Sequence, residues 1–161
     1  MGLDTTHGCW HGGYISFMAW RQKLAEAAGI PLALMEGFYS DKMPNSPSVA
    51  LRLIAEMDKM RRPGRETDWT IEVLQEAFKS FPLKWAMLAP DPLHILLCHS
   101  DCEGSIAAAD CGPIADSLER LLPALPDKEA GGHIGNWRAK TQTFIDGLRL
   151  AASKGEDVEF H

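Results

Sequence analysis

The chain reads as a mainly α protein, a compact single domain over residues 1–161, with about six helices and a minor β pairing of its N- and C-terminal segments. Three observations lead there. Apolar residues recur at helical spacing in several separate stretches. Capping residues precede those stretches, and Gly or Pro follows them. The 161 residues are 45% hydrophobic and 24% charged, which suits one ordinary globular domain with a real core.

Met1 to Tyr14 holds His7, Cys9, Trp10, His11, Gly12 and Gly13. Two histidines four apart could share a helix face and a metal, but Gly8, Gly12 and Gly13 make a helix there improbable. The plain expectation is a glycine-rich loop that packs Trp10. The functional one puts His7, Trp10, His11 and Tyr14 in a pocket wall, with aromatic faces for stacking and imidazoles for hydrogen bonds. Ile15 to Ala28 follows as a helix, stopped by Gly29 and Pro31, with Phe17, Trp20 and Leu24 inward. Arg21 lies four after Phe17 and seven after Tyr14, on the same side. It could hold a phosphate or carboxylate through two bonds. Pairing with Glu36 or an acid of the central stretch is the commoner fate of such a residue.

Leu32 to Tyr39 is a short apolar helix or turn, and Ser40 to Ser46 a loop. Ser48 to Arg61 is an amphipathic helix that ends in the basic turn Arg61-Arg62-Pro63-Gly64-Arg65. Positive charge belongs at a helix C-terminus, so that turn reads as a solvated helix end. Thr67 or Asp68 caps the next helix, Trp69 to Phe78.

The stretch from Leu93 to Ile106 is the densest in chemically capable side chains. Asp91-Pro92 is a helix start, and Leu93, Leu96 and Leu97 sit at i, i+3, i+4. Gly104 breaks the pattern, Ile106 restarts it, and Asp110 to Leu125 forms a second helix with Ile114, Leu118, Leu121, Leu122 and Leu125 on one face. Between them lie His99, Asp101 and Glu103. With Gly104 at the sixth position this is the outline of an EF-hand loop, but a degenerate one. His99 stands where calcium wants a carboxylate, and Asp110 is too short for the closing bidentate grip. A turn pivoting on Gly104 is the preferred reading. Asn136 starts the last helix, with Trp137, Phe144, Ile145 and Leu148 as its stripe and Gly155 as its stop. Val158-Glu159-Phe160-His161 is a short edge strand expected to pair with Gly2-Leu3-Asp4.

Charge and cysteine usage narrow the function. The net charge of −6 argues against general binding to a nucleic-acid backbone and leaves room for a local anion pocket. No apolar run approaches the ~20 residues of a membrane helix. No secretory signal is visible, so a cytoplasmic protein with reduced thiols is expected. Cys9, Cys98, Cys102 and Cys111 include no C-x-x-C pair. Zinc held by these cysteines and His99 matches no standard spacing, so small buried thiols are the default, with no metal and no cofactor expected.

At His99-Ser100-Asp101-Cys102-Glu103-Gly104 the chain resembles a group of small proteins of actinobacteria and their phages. The likeness includes Tyr14, Phe17 and Arg21, the step Met35-Glu36-Gly37-Phe38, Cys111, and Glu159-Phe160, and covers most of the chain outside Asp41 to Arg65. It implies a shared architecture. A phage-like origin also brings, by analogy, the expectation of a phage-encoded sponge that sequesters a nucleotide-derived immune signal.

Three functions follow. The first is a protein binding a small anionic or nucleotide-like ligand through His7, Trp10, His11, Tyr14, Arg21, His99, Asp101 and Glu103, with a homo-oligomer compatible. The second is a hydrolase, metal-assisted or using His99 with Asp101 or Glu103 as base and orienting carboxylate. It ranks lower because no catalytic motif is recognised, so no catalytic residue is assigned. The third is a structural or protein-interaction module in which the polar knot ties two helices together.

Overall fold

A computed structural model of the chain describes residues 2–29, 92–97, 99–100 and 103–161. It is mainly helical, with small antiparallel strand pairs. In chain order the elements are β1 (Leu3–Asp4), β2 (His11–Gly12), α1 (Tyr14–Ala28), α2 (Leu93–Leu97), β3 (Gly104–Ile106), α3 (Ala108–Leu121), α4 (Trp137–Lys154) and β4 (Val158–Phe160). Four α-helices therefore stand among the described residues, against about six expected for the whole chain. The helices expected over Ser48 to Arg61 and Trp69 to Phe78 lie outside the described residues.

The helix boundaries follow local chemistry. Asn136 caps α4: its side chain accepts hydrogen bonds from the main-chain N–H groups of Arg138 and Ala139 at 3.0 and 3.1 Å. Gly29 closes α1 and Gly155 closes α4, as the pattern predicts. The second central helix differs from expectation. It begins at Ala108 and ends at Leu121, and Leu122–Ala124 tightens into a 3₁₀ turn. Its first N–H is capped from far away, by Asp157 Oδ1 at 2.8 Å.

The strands correct the expected pairing in part. Ile106 does not open a helix. It ends β3, which pairs with β4 as Gly104↔Phe160, Ser105↔Glu159 and Ile106↔Val158. β1 pairs with β2 across a tight turn at Thr6–Gly8. The N-terminal segment still meets β4, through a bridge of Thr5 with Phe160 and reciprocal main-chain bonds between Asp4 and His161, both 3.0 Å. The cause is alternation. Val158 and Phe160 are buried and Glu159 is exposed, so β4 presents one apolar face to the core while both its edges are free to bond.

The core lies between α3 and α4. Ile114, Ala115, Leu118 and Leu121 from α3 meet Phe144, Ile145, Leu148 and Ala151 from α4. Phe17, Trp20 and Leu24 of α1 and Leu93, Leu96 and Leu97 of α2 complete it. Trp10, Phe17, Trp20, Phe144 and Phe160 form one aromatic cluster, with Phe17 in contact with the other four at centroid distances of 5.0 to 6.4 Å.

Gly147 makes a flat place on α4 for the N-terminal turn. A Cβ there would stand 2.8 Å from the main-chain N and Cα of Cys9 and closer still to its sulfur. Gly147→Ala is expected to cost about 2 kcal/mol, because the backbone clash outweighs the roughly 1 kcal/mol of helix propensity that alanine adds. Urea denaturation compared with the parent chain checks it.

Candidate anion seat beside the N-terminal loop

The eight residues expected to form a ligand site have different fates. Arg21 is fully buried. Its Nη1 donates to the carbonyl of His99 at 2.7 Å and to that of Leu97 at 3.1 Å, with Leu96 at 3.4 Å, and its guanidinium lies 4.9 Å from the centre of the Phe17 ring. A five-residue helix such as α2 ends with carbonyls that no helical N–H can reach. Arg21 supplies their donor and so fixes where the polar knot begins. Glu36 and Asp101 lie outside the described residues. His99 is half-buried, its ring 4.0 Å from that of Phe160, and its Nδ1 donates to the Ser100 carbonyl at 2.8 Å. Gly104 lies against the same ring with φ of +105°, a backbone state that disfavours any side chain. Glu103 is exposed.

His7 occupies φ of +60°, uncommon for a residue with a side chain. Two contacts hold it: Nδ1 lies 3.0 Å from Thr6 Oγ1, and Nε2 donates to Glu156 Oε2 at 2.7 Å. The bond from His7, more than the Lys154 charge, holds the Glu156 carboxyl below its usual pKa. His11 is exposed and its Nδ1 donates to Asp4. Tyr14 is half-buried against the core.

Trp10 is buried to 1% exposure, tied at its main chain to Thr5: its N–H donates to Thr5 Oγ1 at 2.7 Å, and its carbonyl accepts from Thr5 N–H at 3.1 Å. Two indoles thus stand side by side in the core, 5.2 Å apart. Trp20 Nε1 donates to Thr141 Oγ1 at 2.9 Å. Trp10 Nε1 is sealed from solvent and has no acceptor among the described residues. Beside it is Lys140 of α4. Its ammonium lies 4.2 Å from the centre of the Trp10 ring and donates to the His11 carbonyl at 3.1 Å. Burial lowers its pKa. No carboxylate pairs with it among the described residues. Gly12 allows the close approach of the 131–135 turn: a Cβ on it would lie 2.8 Å from His133 Cβ and 3.4 Å from Trp10 Nε1.

The knot and the N-terminal loop are therefore joined by packed rings, from His99 through Phe160 and Phe17 to Trp10. An open surface depression of about 500 Å³, lined by Leu122, Pro123, Arg138, Ala139 and Gln142, includes none of the eight residues. Lys140 was missed in the sequence. Its signal was present: it lies three after Trp137 and four before Phe144, at the spacing of the apolar stripe.

Among the described residues no three His, Cys, Asp or Glu side chains are grouped as metal ligands. Cys98 and Cys102 lie outside them. Burial, aided by Cys111 nearby, pushes the Cys9 thiol up to about 12, and burial followed by Asp157 and Asp110 raises that of Cys111. Both are protonated near neutrality, which suits small core residues. No helix among the described residues is long and apolar enough to cross a membrane.

No protein-family profile, no curated protein and no solved structure matches the chain.

Two outcomes test these contacts. Arg21→Met, which keeps the bulk and removes the donors, is expected to cost about 3 kcal/mol by chemical denaturation, because the knot carbonyls lose a buried partner. Lowering the pH tests His7–Glu156. A carboxyl with a depressed folded pKa contributes stability above its unfolded pKa of about 4.3 and loses it as pH falls through the folded value. Glu156→Gln is expected to be less stable than the parent at pH 7 and to converge with it towards pH 3, read as thermal midpoints across that window.

Proposed function

We propose that this chain is a small-ligand binding protein that takes an anionic group beside the N-terminal loop, at Trp10 and Lys140. One observation carries the reading: a buried indole N–H without an acceptor stands next to a half-buried ammonium without a carboxylate partner among the described residues. A buried donor left unsatisfied costs roughly 1–3 kcal/mol. A half-buried ammonium gains from a counter-charge beside it. One negatively charged acceptor, reaching the indole once the 131–135 turn moves off Gly12, relieves both. Trp20, whose N–H meets Thr141, supports the reading by contrast.

A phage-encoded sponge for a nucleotide-derived immune signal is one form of this proposal, in which a phosphate supplies the acceptor. A second reading has its own support. Arg21, His99 and His7 are all engaged within the chain. That favours a structural or interaction module in the His99–Gly104 region.

A thermal-shift panel on the full chain separates them, using cyclic nucleotides, ADP-ribose derivatives, phosphate and simple carboxylates. Binding only to the folded state stabilises it by about 2.7 kcal/mol at a hundred times Kd. The expected outcome is a rise of several degrees with at least one anion and a smaller rise in Lys140→Gln. A flat response to the whole panel removes the ligand reading and leaves the module. Recovery of the ligand intact after denaturation distinguishes a sponge from an enzyme.

A further inference from the structure

We infer that the 131–135 turn is a hinged lid over the edge of Trp10, latched by Ile134, and that its opening brings the indole N–H out to solvent. The lid stands on its own geometry; that an anion enters when it opens rests on the ligand-binding reading above. Residues 126–136 join the 3₁₀ turn to α4. Their base is a narrow stem. The N–H of Ala130 donates to the Gly135 carbonyl at 2.6 Å, Glu129 and Asn136 form a bridge, and the Asn136 amide donates to Asp127 Oδ1 at 3.0 Å. Above the stem the bonding is slack: the N–H of Gly135 reaches the Gly131 carbonyl only at 3.4 Å. Glycines at positive φ bracket the tip. Gly131 and Gly132 stand at +80° and +55° before it, and Gly135 at +63° after it. Only His133 and Ile134 lie between them. Such residues absorb large changes in backbone dihedral at little steric cost, which is what a hinge requires.

The tip is held down lightly. Ile134 is half-buried against the core, and His133 is exposed, with only its Cβ lying over Gly12. Beneath is Trp10, 1% exposed, with an Nε1–H that has no acceptor among the described residues. A Cβ on Gly12 would stand 3.4 Å from that nitrogen and 2.8 Å from His133 Cβ, so the tip lies against the bare backbone that screens the indole edge. Two opposed effects therefore meet in one short segment. Burial of Ile134 favours the closed state. The unpaired indole N–H favours the open one, because water or a ligand then satisfies it. An opening so balanced is local, and it requires far less free energy than unfolding the core. The Lys140 ammonium lies over the face of the same ring, so an anion that enters meets the N–H and the ammonium together.

Hydrogen–deuterium exchange of the indole N–H groups, followed by proton–nitrogen NMR of the full chain, tests the lid. The Trp10 signal is identified by its loss in Trp10→Phe. Trp20, whose N–H is bonded to Thr141 between two helices, reports unfolding of the core. Trp10 is expected to exchange at least about tenfold faster than Trp20 and with a weaker dependence on urea, the mark of a local opening. Ile134→Ala should speed Trp10 exchange about tenfold further and change Trp20 much less. Trp10 exchange that matches Trp20 in rate and urea dependence overturns the lid, however well Ile134→Ala folds, and the thermal-shift panel then decides the ligand reading alone. Local Trp10 exchange that Ile134→Ala leaves unchanged also overturns it, since the tip is then not the moving part. Phosphate, AMP and acetate are added to the same sample. An anion that slows Trp10 exchange more than Trp20 exchange supports both the lid and the ligand reading. Fast Trp10 exchange that none of them slows leaves the lid standing and counts against the anion.

Discussion

The burial of one phenyl ring, Phe17, is the interaction on which the described structure depends. Trp10 arrives from the N-terminal turn, Trp20 from the next turn of the same helix, Phe144 from α4 and Phe160 from β4. Three segments besides its own helix are positioned by contact with a single side chain. Aromatic pairs in tilted and edge-on arrangements contribute roughly 0.5–1.5 kcal/mol beyond the area they bury. The larger effect is geometric: a ring leaves few ways for its neighbours to pack. Arg21 adds a polar limit to the same place, because its guanidinium rests on Phe17 while its Nη1 reaches the carbonyls of the knot.

That arrangement explains why the two tryptophans of the cluster differ. Trp20 lies on a helix whose neighbour carries Thr141 at the right height, so its N–H is satisfied within the core. Trp10 hangs from a turn, and its ring edge faces the bare backbone of Gly12. The same feature that lets the turn fit closely also leaves no side chain there to accept its proton. Lys140 then covers the ring face with a charge. The unpaired indole N–H is thus a by-product of close packing at a place where packing offers no acceptor.

Much of this fold was legible in the sequence. The limits of α1 and α4 were written in Gly29, Asn136 and Gly155, because caps and stops act locally. The apolar faces of α3 and α4 followed from their spacing. The pairing of β4 was legible only in part. Alternation identifies a strand but says nothing of which edge will meet it, and Ile106 looked like the restart of a helical pattern after the break at Gly104. The site was harder. Arg21 was recognised as a cation near aromatic residues, but its partners are main-chain carbonyls, which leave no mark in a pattern of side chains. Lys140 and Trp10 are 130 residues apart, and only tertiary packing brings them together.

The capping of α3 by Asp157 has a consequence for the order of assembly. The same short segment supplies Glu156 to His7, takes its place beside β3, and bonds to Asp4 through His161. During synthesis, residues 3–12 leave the ribosome long before residues 156–161 exist. Until then the first turn has no partner for its edge, and the N–H of Ala108 has no cap. Such non-local contacts form late, since loop closure must be met before they repay it. The two helices α3 and α4 can pair early, and the N-terminal arm gains its bonds to residues 156–161 only once that segment is made.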